Sequence, residues 1–259
     1  MKNLFLAALY LACSALAGAQ SLSGLCMLSA SRHNDGGSGW QVMLASSNCG
    51  KGDDNSTSNN STMVADRWTG VSPELLEKEA TTLTANLHGD AGDLTCSGQV
   101  HDHALSGRYA FMPSQPFLDQ MRALGFDGIT PQKQLSFLML DVNTTWARRL
   151  KEIGVLDLST DKLMALKALR VDGDYIQAMA KAGYPELHAG RLIEMKAVGV
   201  TPERAREAKE LGFAPTEREL IQMSIFHIDR AFVERMRARG LNDLTLDKLI
   251  KIKIFKVDE

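Results

Sequence analysis

Two histidines one residue apart, His101 and His103, with Asp102 between them and His88 upstream, are the side chains in this sequence best suited to chemistry. If they lay in a strand, alternate residues would share a face, and imidazoles so placed can hold a metal ion or, with a carboxylate, serve hydrolysis. The competing reading is a pair of hydrated turn residues, because Leu94 to Val100 and Leu105 to Phe111 form a hairpin pattern with the histidines near its bend. No phosphate loop, dinucleotide fingerprint, nucleophile elbow, paired-cysteine zinc motif or His-Glu-x-x-His is present. No catalytic residue, cofactor or enzymatic activity is therefore assigned, and His101 and His103 stand as the only metal candidates.

The first twenty residues carry one charge, Lys2, then the apolar run Leu4 to Ala12 and the small residues Ala17-Gly18-Ala19. That layout predicts a secretory signal peptide over residues 1–19, with a lipoprotein attached through Cys13 as an alternative. No later segment approaches the roughly 20 apolar residues a membrane helix needs, so the mature chain is expected in the periplasm or outside the cell. In that oxidising setting Cys26, Cys49 and Cys96 remain. The preferred pair is Cys26 with Cys49, which flank one loop-rich stretch, leaving Cys96 as a buried thiol in a strand. Residues 20–116 carry five basic and ten acidic side chains and residues 117–259 carry 23 and 21. Neither balance suits nucleic acid, whose phosphates call for a basic excess.

The elements that must position these groups follow two patterns. Residues 20–112 read as a β-rich domain: Trp40 to Leu44 and Thr82 to Leu87 alternate apolar with polar. Residues 50–62 contain no aliphatic or aromatic side chain and predict a flexible loop. A linker is expected at 113–116.

From 117 to 259 a repeat emerges, marked by Gly125, Gly154, Gly183, Gly212 and Gly240, spaced 29, 29, 29 and 28 residues. Eight residues before each stand Phe117, Trp146, Tyr175, Arg204 and Phe232; four before come Met121, Leu150, Met179, Ala208 and Met236. These spacings fall on one face of a short helix, with the glycine suited to the left-handed turn at its end. A second helix opens at Thr130, Ser159, His188, Thr216 and Thr245 and is apolar at Leu135, Met164, Ile193, Ile221 and Ile250. The fold class expected is α+β: a small N-terminal β-domain followed by an α-solenoid of five units, two helices each.

Lys167, Lys196 and Lys253 occupy one repeat position, where the other units carry Leu138 and Ser224. Aligned along stacked helices they would form a basic ladder for an anionic peptide or envelope polymer; the alternative is a solvated face. Lys248, Lys251, Lys253 and Lys256 are expected to seal the last unit.

The repeat, in forms such as YIQAMAKAGYPELHAGRLIEMKAVGVTPE (Tyr175 to Glu203), with the phrase Ser106-Gly107-Arg108-Tyr109-Ala110-Phe111-Met112-Pro113 before it, resembles a region of bacterial proteins similar to the β-lactam-sensing regulatory membrane metallopeptidases. The resemblance spans about residues 93 to 259 and implies an extracytoplasmic module; the peptidase part of that family is not matched. Taken together, the expectation is a non-catalytic exported scaffold of the bacterial envelope that binds a protein or peptide. The alternatives are a sensor module working with a separately encoded membrane metallopeptidase, or a hydrolase with a site around His88, His101, Asp102 and His103.

Overall fold

A computed structural model describes residues 21–32, 38–46, 57–64, 67–241 and 243–255. The predicted signal peptide, Cys13, Cys49 and Lys256 lie outside them.

The fold is α+β. Seven strands, β1 (Leu22–Arg32), β2 (Ser38–Ser46), β3 (Thr57–Val64), β4 (Trp68–Thr69), β5 (Thr82–Gly89), β6 (Gly92–His101) and β7 (Ala104–Pro113), form one antiparallel sheet in the order β3-β2-β1-β7-β6-β5-β4. The chain thus builds outward from β1 to the edge strand β3, then restarts at the opposite edge and returns to β1. Laid flat, seven strands about 4.8 Å apart would put the edges about 29 Å from each other, while the four residue steps from Val64 to Trp68 span at most about 14 Å. The sheet must therefore curl until its edges approach. Its concave face collects the alternate residues Cys26, Leu28, Trp40, Val42, Leu44, Leu87, Leu94, Cys96, Tyr109 and Phe111, all buried.

Two sequence expectations change here. Of the flexible loop expected at 50–62, residues 57–62 lie in β3 and pair in register with β2, and 50–56 lie outside the described residues. An edge strand needs backbone pairing more than it needs apolar side chains, and threonine suits extended structure. Residues 113–116 are not a linker: β7 runs to Pro113, Ser114 caps the next helix by accepting from the Phe117 amide, and its own amide donates to Ala91 O.

After a four-residue helix, α1 (Pro73–Leu76), come α2 (Gln115–Ala123), α3 (Pro131–Leu140), α4 (Thr144–Ile153), α5 (Thr160–Ala168), α6 (Gly173–Lys181), α7 (Ala189–Ala197), α8 (Pro202–Glu210), α9 (Glu217–Ile225), α10 (Arg230–Ala238) and α11 (Leu246–Ile254). Each from α2 onward is nine or ten residues long, too short to be stable alone, so packing must hold it. Local chemistry sets the ends. Ser114, Thr130, Asn143, Ser159, Asp172, Thr201, Thr216, Asp229 and Thr245 each accept a bond from the amide three residues on, and Thr216 with Glu219 completes a capping box. The five repeat glycines all take positive φ, 84 to 99°, and the amide after each donates back to the residue four before it, as Val155 to Leu150 O. The second helix of a unit ends the same way, but with Asp141, Arg170, Gly199 and His227 in the left-handed position. His227 thus stands just past α9.

Packing follows chain order: α2 meets α4, α4 meets α6 and α6 meets α8, while α3, α5, α7, α9 and α11 touch in succession. One expected core position, buried at Leu135 and Ile250, shifts in the other three units. Met164, Ile193 and Ile221 are only half-buried, whereas Leu163, Leu192, Leu220 and Leu249, one residue earlier, are fully covered. In the first unit this inner position is Gln134, whose side-chain amide donates to Ser114 O at 3.0 Å.

Candidate functional site

The histidines do not converge. Asp102 and His103 both have positive φ, 49 and 60°, forming a two-residue hairpin turn rather than a strand face. His101 Nδ1 lies 2.9 Å from Glu79 and His103 Nδ1 3.2 Å from Glu77, all four side chains being exposed. His88 pairs with Asp93 at 2.7 Å. Asp93 and His101 stand near opposite ends of β6, about 26 Å apart at the rise of an extended strand. One active site cannot contain both His88 and His101. Among the described residues no three His, Cys, Asp or Glu side chains cluster as metal ligands would.

The cysteine pairing is corrected. Cys26 is bonded to Cys96, not to Cys49, with Cα atoms 6.1 Å apart. These residues lie on β1 and β6, which flank β7, and next-but-one strands of a flat sheet would be about 9.6 Å apart. The curl brings them together across Gly107, which sits opposite both Cys26 and Gly98. A Cβ on Gly107 would lie 2.0 Å from Ser97 O and 2.6 Å from the Gly98 Cα, so the crossing needs glycine on both strands.

The lysine ladder exists as an alignment, but each ammonium has a place inside the fold. Lys167 Nζ lies 5.1 Å from the Trp146 ring centroid, Lys196 4.3 Å from Tyr175 and Lys253 4.2 Å from Phe232. A cation over a ring face gains roughly 0.5–1 kcal/mol at such half-exposed sites. The other two units keep a compatible pair. Phe117 stands with Leu138, both buried, and Arg204 Nη1 donates to Ser224 Oγ at 3.1 Å, which in turn donates to Val198 O at 2.7 Å. The chemistry at the two positions therefore changes together: lysine beside Trp146, Tyr175 and Phe232, leucine beside Phe117, and serine where there is already a cation.

A second set of cations joins one unit to the next. Lys151 Nζ donates to Leu124 O at 2.5 Å, Lys209 Nζ to Ala182 O at 2.6 Å and Arg237 Nη2 to Leu211 O at 2.8 Å. Each acceptor is the carbonyl just before a repeat glycine, at the negative end of the preceding unit's first helix. The third unit has Ala180 at this position. There Leu156 bridges to His188, and Asp157 Oδ1 accepts from the Ala189 amide at 2.8 Å, replacing the cap that His188 does not supply. The Asp157 carboxyl is held below the usual carboxylate range, chiefly by its hydrogen bond from Lys162.

Two buried phenols also cross helices: Tyr175 donates to Val200 O at 3.0 Å and Tyr184 to Pro215 O at 2.6 Å. Burial pushes both up to about 12, with Glu217 and Glu219 adding to it at Tyr184.

The sheet meets the first unit through opposite charges at opposite helix ends. Arg67 donates to Leu138 O and Met139 O at the end of α3, and Asp90 Oδ2 accepts from the Thr144 amide and hydroxyl at the start of α4. Arg67, Asp90, Lys151, Lys209 and Arg237 gave no sequence signal beyond being charged, although the last three share a repeat position and could have been found by aligning the units. No protein family, curated protein or solved structure matches the chain.

Proposed function

We propose that the chain is an exported, non-catalytic scaffold whose ten helices from α2 onward form a five-unit α-solenoid, presenting an extended surface to a protein or peptide partner. The observation that carries this reading is the next-but-one packing of the helices in chain order, since units stacked side by side build a platform rather than a pocket. The leader-like first 19 residues and the Cys26–Cys96 bond support export to an oxidising compartment. Among the described residues no helix is long and apolar enough to cross a membrane.

Because Lys167, Lys196 and Lys253 lie over aromatic rings, the partner is expected to meet the more exposed charges instead. The test is comparative capture from an envelope extract by the immobilised chain and by K167Q/K196Q. Partners retained by both forms support docking away from the ladder, and partners lost with the lysines restore the ladder as the binding face. Stoichiometric zinc in the purified protein, lost in H101A/H103A, would overturn the non-catalytic reading. The repeat wording also favours a sensor module working with a separately encoded membrane metallopeptidase; a stable complex with such a peptidase is the observation that distinguishes it.

A further inference from the structure

We infer that the groove beside Arg204, in the fourth unit, is the point at which the scaffold takes a carboxylate of its peptide partner. The internal repeat supplies the reference. Eight residues before the turn glycine the other units carry Phe117, Trp146, Tyr175 and Phe232, and only the fourth puts a cation there. The Arg204 guanidinium is held from behind: Nη1 donates to Ser224 Oγ at 3.1 Å, and that buried hydroxyl donates in turn to Val198 O at 2.7 Å. A guanidinium has five N–H donors and Ser224 occupies one; among the described residues no carboxylate pairs with the others. The lysines at 167, 196 and 253 each rest over a ring, and Arg204 does not.

Arg204 lines an open groove of about 550 Å³ that runs along α8 to the start of α10. The other charges around it are already engaged. Arg206 pairs with Glu203 at 2.6 Å, and Arg230 pairs with Glu207 at 3.3 Å and with Glu210 at 2.7 Å. Asp229 caps α10 by accepting from the Phe232 amide at 2.8 Å. Among the described residues of the lining, Arg204 is therefore the charge left without an ionic partner or a cap to make. Its planar fork matches the two oxygens of a carboxylate. A phosphate would bring a second negative charge against Glu203, Glu207 and Glu210, so the surroundings select a single one. Because the groove is open the pair stays hydrated, and one carboxylate alone binds with a dissociation constant on the order of 1–10 mM. A longer peptide adds contacts along the stacked units.

This deepens the scaffold reading and rests on it for the identity of the partner. The experiment titrates the full chain with N-acetylglycylglycine, which offers one terminal carboxylate, and follows amide shifts by heteronuclear NMR. Saturable shifts are expected at Gly199, Thr201, Arg204 and Arg230, and none with the C-terminal amide of the same dipeptide. Affinity should fall at least ~10-fold in R204F/S224L, which copies the ring and leucine of the first unit, and in R204Q, which keeps a donor for Ser224 without the charge. If the double variant does not fold, R204Q carries the test. K181Q, which removes an exposed lysine of α6 outside the groove, should bind as the native chain does. N-acetylglutamic acid α-amide carries only a side-chain carboxylate, and whichever of the two ligands binds tighter identifies a chain end or an acidic side chain as the docking group. Full affinity in R204Q, inorganic phosphate binding tighter than the dipeptide, or no saturable shift up to about 100 mM overturns the inference. A failed titration with partners still captured from the envelope extract strikes the site and leaves the scaffold, whereas a saturable titration with no captured partner strikes the scaffold and leaves the site.

Discussion

In the sheet the covalent cross-link joins residues 70 apart in sequence, and the first strand lies beside the last. Among the helices, caps and turn bonds close within five residues, and the bonds from unit to unit span at most 33. The sheet thus gains little until most of it is assembled, because β1 has no neighbour on its β7 side before residue 104 is in place. Each helix pair, by contrast, can add to the one before it. The difference predicts a sheet that opens as a whole and helices that open pair by pair.

The largest effect expected is on that closure. C26S/C96S removes a link across about 70 residues, which the chain-entropy account values at about 4 kcal/mol. Hydrogen exchange should then rise throughout β1, β6 and β7, while amides of α8 to α11 keep their protection. Uniform loss across both regions would show that they unfold as one body and would erase the contrast. Next in size, Leu192→Ala in α7 should cost roughly 2–5 kcal/mol, since the side chain is wholly buried. Its exchange signature should spread through α5 and α9 and leave the sheet unchanged.

Alkaline pH sharpens the same comparison. The Tyr175 and Tyr184 phenols ionise in the fold only near 12, above their ordinary value, so the stability they contribute is whole below about pH 10 and is lost as pH rises toward 12. Denaturant midpoints followed from pH 9 to 11.5 should fall for the native chain and fall less for Tyr175→Phe and Tyr184→Phe. The smallest effects belong to the inter-unit cations. Lys209→Ala should cost about 1 kcal/mol by freeing the end of α6, and Ala180→Lys should gain about 0.5 kcal/mol by supplying the third unit with the bond to Ile153 O that its neighbours have. Thermal melts of the two variants should move in opposite directions.

What could be read in advance divides along the same boundary. The helix starts at Thr130, Ser159 and Thr216 and the turns at the five glycines were legible because each rests on atoms within a few residues of one another. The strand over 57–62 was missed because its polar side chains give no alternation, and what places it is the free edge of β2. The inner leucines at 163, 192, 220 and 249 were missed by one position, since a short helix with apolar residues on adjacent columns does not say which column faces inward.

The sequence by itself determined the spacing, caps and turns of the helices, because those are short-range bonds whose donors and acceptors are neighbours in the chain. Only the tertiary structure decided that Cys26 pairs with Cys96, that His88 and His101 stand apart, and that the aligned lysines rest on rings. Each of those outcomes depends on how the sheet curls or how one helix lies on another, and that is fixed by the burial of the whole rather than by any local run of residues.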